Sequence, residues 1–192
     1  MQKIVSFFKK YAWVWIIIIV LIAIVGDAYL TREKNVPSAS PTPAPKTASY
    51  KDIIPGVATE EELNKILGTP LRTTINGSEK TDEYKSTSEL RHHIAIIQSG
   101  KVVFIKEIVS AHDTIKSPNI VSIYGTAPNI LYNKYPNSTF DLYVYPANGI
   151  AYLGHKDGGL LEIWYFQPTT IGNFITTWGK DYSLSKSTEV TY

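Results

Sequence analysis

Sixteen consecutive residues, Tyr11 to Gly26, carry no charge and are almost wholly apolar. A bilayer core asks for about 17–25 residues of helix, so this run alone is just short. Ala28, Tyr29 and Leu30 extend it past Asp27, which can snorkel near the interface. Trp13 and Trp15 suit an interfacial belt. Lys3, Lys9 and Lys10 precede the run, while Arg32 and Lys34 behind it are diluted by Asp27 and Glu33. That bias sets the N-terminus inside and the rest of the chain outside. The expectation is a basic cytoplasmic tail over 1–10 and a single-pass anchor over 11–30, fixing the protein in the cell membrane with its remainder extracytoplasmic. A cleaved signal peptide is the competing reading, with Gly26-Asp27-Ala28 as a small-x-small site. The long core, with β-branched residues running up to Gly26, favours the uncleaved anchor. The chain has no cysteine, which excludes lipid attachment at a thiol and any disulfide framework.

A proline-rich linker over 31–49 follows. Pro37, Pro41, Pro43 and Pro45 forbid helix, and the stretch Val36 to Ser49 holds nothing that packs. It reads as a semi-rigid spacer reaching roughly 40 Å at about 3.1 Å per residue. Residues 47–192 are enough for one core without covalent staples. They carry 13 basic and 15 acidic side chains, a net charge of −2. The sequence shows no basic patch, which argues against nucleic acid as a partner.

Within that region two stretches follow a similar order. Thr59-Glu60-Glu61-Glu62 is a capping box opening a helix, which Gly68 and Pro70 end. Strands are expected at Leu71–Ile75, turned by Asn76-Gly77, and at Thr81–Lys85, His93–Gln98 and Lys101–Val109, the last two flanking Ser99-Gly100. Ser117-Pro118 then opens a second helix that Gly125 closes, and strands follow at Thr139–Tyr145, Ile150–His155 and Leu160–Phe166. A third helix runs from near Thr170 to Trp178-Gly179. The spacing gives two helix-plus-meander units, 50–110 and 111–192, with a period near 57 residues and a closing helix. The expected fold class is therefore α+β: an N-terminal transmembrane helix, a Pro-rich linker, then two helix-plus-antiparallel-meander units with helices on one sheet face and a closing C-terminal helix.

Ile54-Pro55-Gly56, Thr59-Glu60-Glu61-Glu62-Leu63 and Leu67-Gly68-Thr69-Pro70 resemble the signature of the BamE (SmpA/OmlA) family. The resemblance covers about 60 residues well and the second unit loosely. It implies helices packed on one face of an antiparallel sheet, as in the tandem β-lactamase inhibitory protein, with the other face free for protein contacts. The chain departs from that family in lacking a lipid-bearing cysteine.

The second meander is the richest in aromatic side chains. Along Phe140–Tyr145, Asp141, Tyr143 and Tyr145 share a face, and along Leu160–Phe166, Glu162 shares a face with Trp164. If the charge-bearing faces point outward, Tyr143, Tyr145 and Trp164 form a protein-binding surface, since aromatics in wet surroundings anchor interfaces. Core rings are the alternative.

His92 and His93, adjacent in a strand, face opposite sides and cannot chelate one metal. No His-x-x-x-His spacing, nucleophile elbow or phosphate loop is present; Gly158-Gly159 reads as a hairpin turn. Asn76-Gly77-Ser78 and Asn137-Ser138-Thr139 match the glycosylation pattern, which matters only in a eukaryotic secretory route. The expectation is a non-enzymatic adaptor or inhibitor-like domain with no cofactor and no metal, binding an envelope protein. The alternatives are cell-wall glycan as the ligand, or an envelope hydrolase.

Overall fold

The computed structural model describes residues 46–134 and 138–186. The expected anchor and most of the linker lie outside the described residues. Among those described, no helix is long and apolar enough to cross a membrane.

Helix α1 (Glu60–Leu67) begins as its capping box dictates. The Glu62 amide donates to Thr59 Oγ1 at 3.2 Å, and the Thr59 amide donates to Glu62 Oε2 at 2.7 Å. Four strands follow: β1 (Arg72–Asn76), β2 (Glu79–Tyr84), β3 (His93–Gln98) and β4 (Lys101–Ile108). Helix α2 (Ser117–Tyr124) has Lys116, not Ser117, at its cap position, and the Asn119 side chain accepts the Lys116 amide at 2.8 Å. Strands β5 (Asn129–Asn133), β6 (Phe140–Tyr145), β7 (Ile150–His155) and β8 (Leu160–Phe166) come next. Helix α3 (Ile171–Thr177) and the short β9 (Tyr182–Ser183) close the described chain. Gly149, at φ 71°, turns β6 into β7 with no room for a side chain: a Cβ there would stand 2.2 Å from the Phe166 carbonyl oxygen.

The architecture corrects the expected one. In place of two units with their helices on one sheet face, the strands form one nine-stranded antiparallel sheet, in the order β1-β2-β3-β4-β8-β7-β6-β5-β9. The seam is β4 against β8, pairing Phe104 with Phe166, Lys106 with Trp164 and Ile108 with Glu162. The short helices lie on both faces. Leu63 of α1 and Ile120 of α2 join Ile105, Ile163 and Tyr165 in one core. Phe174 of α3 joins Phe104, Trp164 and Phe166 in a second. Trp164 and Tyr165 are neighbours on β8, so the two cores occupy opposite sides of the sheet. The physical reason is that β8 is apolar on both sides, and one layer of helices cannot cover both.

The end of the expected spacer also packs. Ala48 is fully buried, its amide donating to the Asn148 carbonyl at 2.8 Å, and Asn148 Nδ2 donates to the Lys46 carbonyl at 3.0 Å. Tyr50 and Ile53 exchange both backbone hydrogen bonds around Lys51 and Asp52, which take φ of 50° and 68°, and both flanking side chains enter the first core.

Phe174, 0 % exposed, is the main apolar side chain that α3 drives into the second core. Phe174→Ala is expected to lower stability by about 3–5 kcal/mol in denaturant titration. A loss below about 1 kcal/mol would show that α3 does not close that face.

Candidate functional site

The structure does not assemble the expected aromatic surface. Tyr143 is half-buried and stacked on Tyr152, with ring centroids 4.8 Å apart and planes 13° apart. Tyr145 is 1 % exposed; its hydroxyl donates to the Gly125 carbonyl at 2.7 Å, at the end of α2. Trp164 lies on the opposite face, 5 % exposed, between Phe104, Phe174 and Tyr182. The three rings thus serve two cores. The premise that charge marks the outward face fails at Glu162, which is itself buried. Its carboxylate receives Trp164 Nε1–H at 2.7 Å and an Arg91 guanidinium N–H, with Lys106 Nζ at 3.7 Å. A buried carboxylate held by two cations and an indole is internally satisfied.

On the other side of the seam stands a second cluster. Tyr165 donates to Glu107 Oε2 at 2.8 Å. The Tyr50 ring packs 5.5 Å from Tyr165 and 5.8 Å from His93. His93 Nδ1 accepts the Ile108 amide at 3.0 Å, which leaves its proton on Nε2 when the ring is neutral. Burial raises the Glu107 carboxyl above its usual range, opposed by the Tyr165 hydrogen bond and by Lys51. Burial lowers His93, and Lys51 lowers it further, against Asp113. Asp113 accepts the Ser110 amide at 2.7 Å and the Thr87 hydroxyl at 2.9 Å. This convergence of perturbed groups is what a search for catalytic chemistry would single out. Tyr50, 3 % exposed, packs against its Tyr165 and His93 rings. Glu107, His93 and Asp113 are only part-exposed, and none of them lines the clefts at α1 and Trp178. The sequence reading missed it because its members come from four separate segments with no local spacing to betray them.

The uncovered surface lies elsewhere. The register places Arg72, Glu83, Ile94 and Lys106 in one row, and Thr74, Thr81, Ile96 and Phe104 in the next, on the Trp164 side of the sheet. Trp178 stacks on Phe104 at 4.6 Å and closes this side at β4. Outward from there, Thr81, Glu83, Ile94 and Ile96 remain part-exposed and β1 is exposed throughout. Glu83 links Arg72 at 3.3 Å and His92 at 3.4 Å, giving the surface a charged margin. Beside it a cleft of about 370 Å³ is lined by Gln98, Val103, Gln167, Asn173, Thr177 and Trp178. A second groove, of about 430 Å³, lies between α1 and the strap before it, lined by Ile53, Ile54, Val57 and Ile66 with Glu62 and Lys65. Among the described residues, no group of three or more His, Asp or Glu side chains could hold a metal.

No family model matches the chain. No curated protein matches it either. Among solved structures it is similar to a DUF4309 family protein (YjgB) from Bacillus subtilis, with 11% identity and a TM-score of 0.44 over 64% of this chain and 88% of that one. It is also similar to a cysteine-rich secretory protein (SAV1118) from Staphylococcus aureus, with 13% identity and a TM-score of 0.43 over 77% of this chain and 55% of that one. Likenesses at this level carry no functional argument, and the BamE resemblance rests on its short motif alone.

Alanine at Tyr143, Tyr145 and Trp164 together should abolish the folded near-ultraviolet circular dichroism, since truncating the buried Tyr145 and Trp164 costs about 3–5 kcal/mol each; a folded triple variant would contradict the burial of those two rings. The folded-state pKa of Glu107 is raised, so its contribution to stability is complete below the ordinary carboxylate value and is lost as pH rises through the folded value. Glu107→Gln should therefore raise the melting temperature at pH 8, by about 2–4 °C for each kcal/mol relieved, and the gain should vanish near pH 4. A gain independent of pH would exclude this cause.

Proposed function

We propose that the chain is a non-enzymatic interaction domain, held outside a cell-envelope membrane by the apolar run at 11–30, that binds another envelope protein. The supporting observation is the part-exposed face of β1–β3, where Thr81, Ile94 and Ile96 stand between the Arg72–Glu83–His92 group and Trp178. An apolar strip with a charged margin, on a rigid sheet, suits a protein partner. The surface lies in the first half of the sheet, away from the aromatic residues singled out in the second.

Wall glycan is the second reading. It draws on the neighbouring cleft, where the amides of Gln98, Gln167 and Asn173 accompany Trp178. Planar amides beside an aromatic ring are suited to sugars as well as to peptides.

A photo-crosslinking residue at position 81 of the full-length chain, irradiated in native envelopes, should yield one discrete protein adduct, and the same residue at position 156 in the β7–β8 turn should not. Thr81→Arg should reduce capture of that protein by about tenfold or more while the melting temperature changes little. Retention of the chain on purified wall polysaccharide, with no protein adduct, would overturn the protein reading in favour of glycan.

A further inference from the structure

The sheet ends in two edges of unequal character. One is β9, two residues long; the other is β1, five residues long and exposed along its whole length. In an antiparallel ladder every second residue of an edge strand turns its amide and carbonyl outward. Among the described residues nothing pairs with that side of β1. The usual protections of an edge are largely missing: Arg72–Asn76 contains no proline, and its pairing with β2 is unbroken by a bulge. Its one charged side chain, Arg72, is directed along the sheet to Glu83. Ile75 is 71 % exposed and Leu71, just before the strand, is 58 % exposed.

We infer that β1 is a strand-capture site, at which an extended segment of the partner protein joins the sheet antiparallel to β1 as a tenth strand. This deepens the proposed protein-binding reading and rests on it, since the added strand continues the open face of β1–β3. The side chains of β1 state what the segment should carry. Ile75 and Arg72 lie three residues apart and point to opposite faces. An antiparallel segment therefore places an apolar residue opposite Ile75 and, three positions later, a carboxylate opposite Arg72. Cross-strand apolar and opposite-charge pairs are the ones that stabilise such a ladder. The mode is strand addition, with backbone bonds supplying affinity and alternate side chains supplying selection.

Two other occupants fit less well. A second copy, paired about Thr74, would set Arg72 against Asn76 and Ile75 against Thr73, matching neither charge nor apolar surface. The chain's own spacer carries Pro37, Pro41, Pro43 and Pro45, whose nitrogens cannot donate to a ladder.

The test uses the full-length chain in detergent micelles and two fluorescein-labelled peptides, Lys-Thr-Val-Thr-Val-Glu-Val-Lys and the same sequence with Lys in place of Glu. Anisotropy should show the Glu peptide binding the native chain about tenfold more tightly than the Lys peptide. Arg72→Glu should reverse that order, and Ile75→Lys, at an exposed position, should abolish binding of both. Hydrogen exchange should slow across 72–76 when the Glu peptide is bound. Equal affinities, an unchanged order in Arg72→Glu, or protection elsewhere would overturn the inference. So would concentration-dependent self-association that protects 72–76 without peptide, which would make a second copy the occupant. If the peptides fail while capture of an envelope protein still depends on Thr81, strand addition falls and the protein-binding reading stands. If capture also fails, both fall.

Discussion

The pairing of β4 with β8 is the constraint on which the rest of the structure depends. It joins four strands from the first half of the chain to the strands of the second, and it turns the middle of the sheet into an interior on both sides. Each side of the seam is also fastened by polar contacts between the halves. On one side Arg91 and Lys106 meet the buried Glu162, with Lys106 Nζ 5.0 Å from the centre of the Trp164 ring. On the other, Tyr165 donates to Glu107. Leaving either carboxylate without its partners would strand a charge in a low-dielectric setting, which is costly. These contacts therefore fix the register of the seam as well as its existence.

That one junction accounts for the distribution of cover. The second half of the sheet is enclosed, by α2 over Tyr145 on one side and by α3 over Trp164 on the other. The first half has α1 on one side, pinned by the Tyr84 hydroxyl donating to Asn64 Oδ1 at 2.8 Å, and lacks a described helix over the outer strands on the other. Ala48, Tyr50 and Ile53 dock beside the seam, so the segment before α1 is fixed to the same centre. This leaves open the face of β1–β3 and the free edge of β1, on which the protein-binding proposals rest.

Much of the local structure was legible in the sequence. The capping box at Thr59, the Ser99-Gly100 hairpin and the strand at Ile150–His155 are local devices, and local devices leave spaced signatures. The first hairpin turns one residue later than read, at Gly77-Ser78, because Asn76 pairs with Glu79. Strand β5 escaped notice because Asn129–Asn133 is short and follows a helix closely. The partner of β4 was not legible at all: Phe104 and Phe166 are far apart in the chain, and an apolar alternation names a face without naming a neighbour. The same limit misled the reading of Tyr145 and Trp164. A carboxylate on a strand ordinarily points to water, but Glu162 finds Arg91 and Lys106 within the fold, and no local pattern reports that.

Native-state hydrogen exchange of the full-length chain tests the central claim most directly. If the seam unites the halves, the amides of 104–108 and 162–166 should be among the slowest to exchange. They should share one opening free energy, equal to that of global unfolding. Exchange of 104–108 through a smaller opening, while 162–166 stays protected, would mean two separately stable halves and would contradict the single-sheet account.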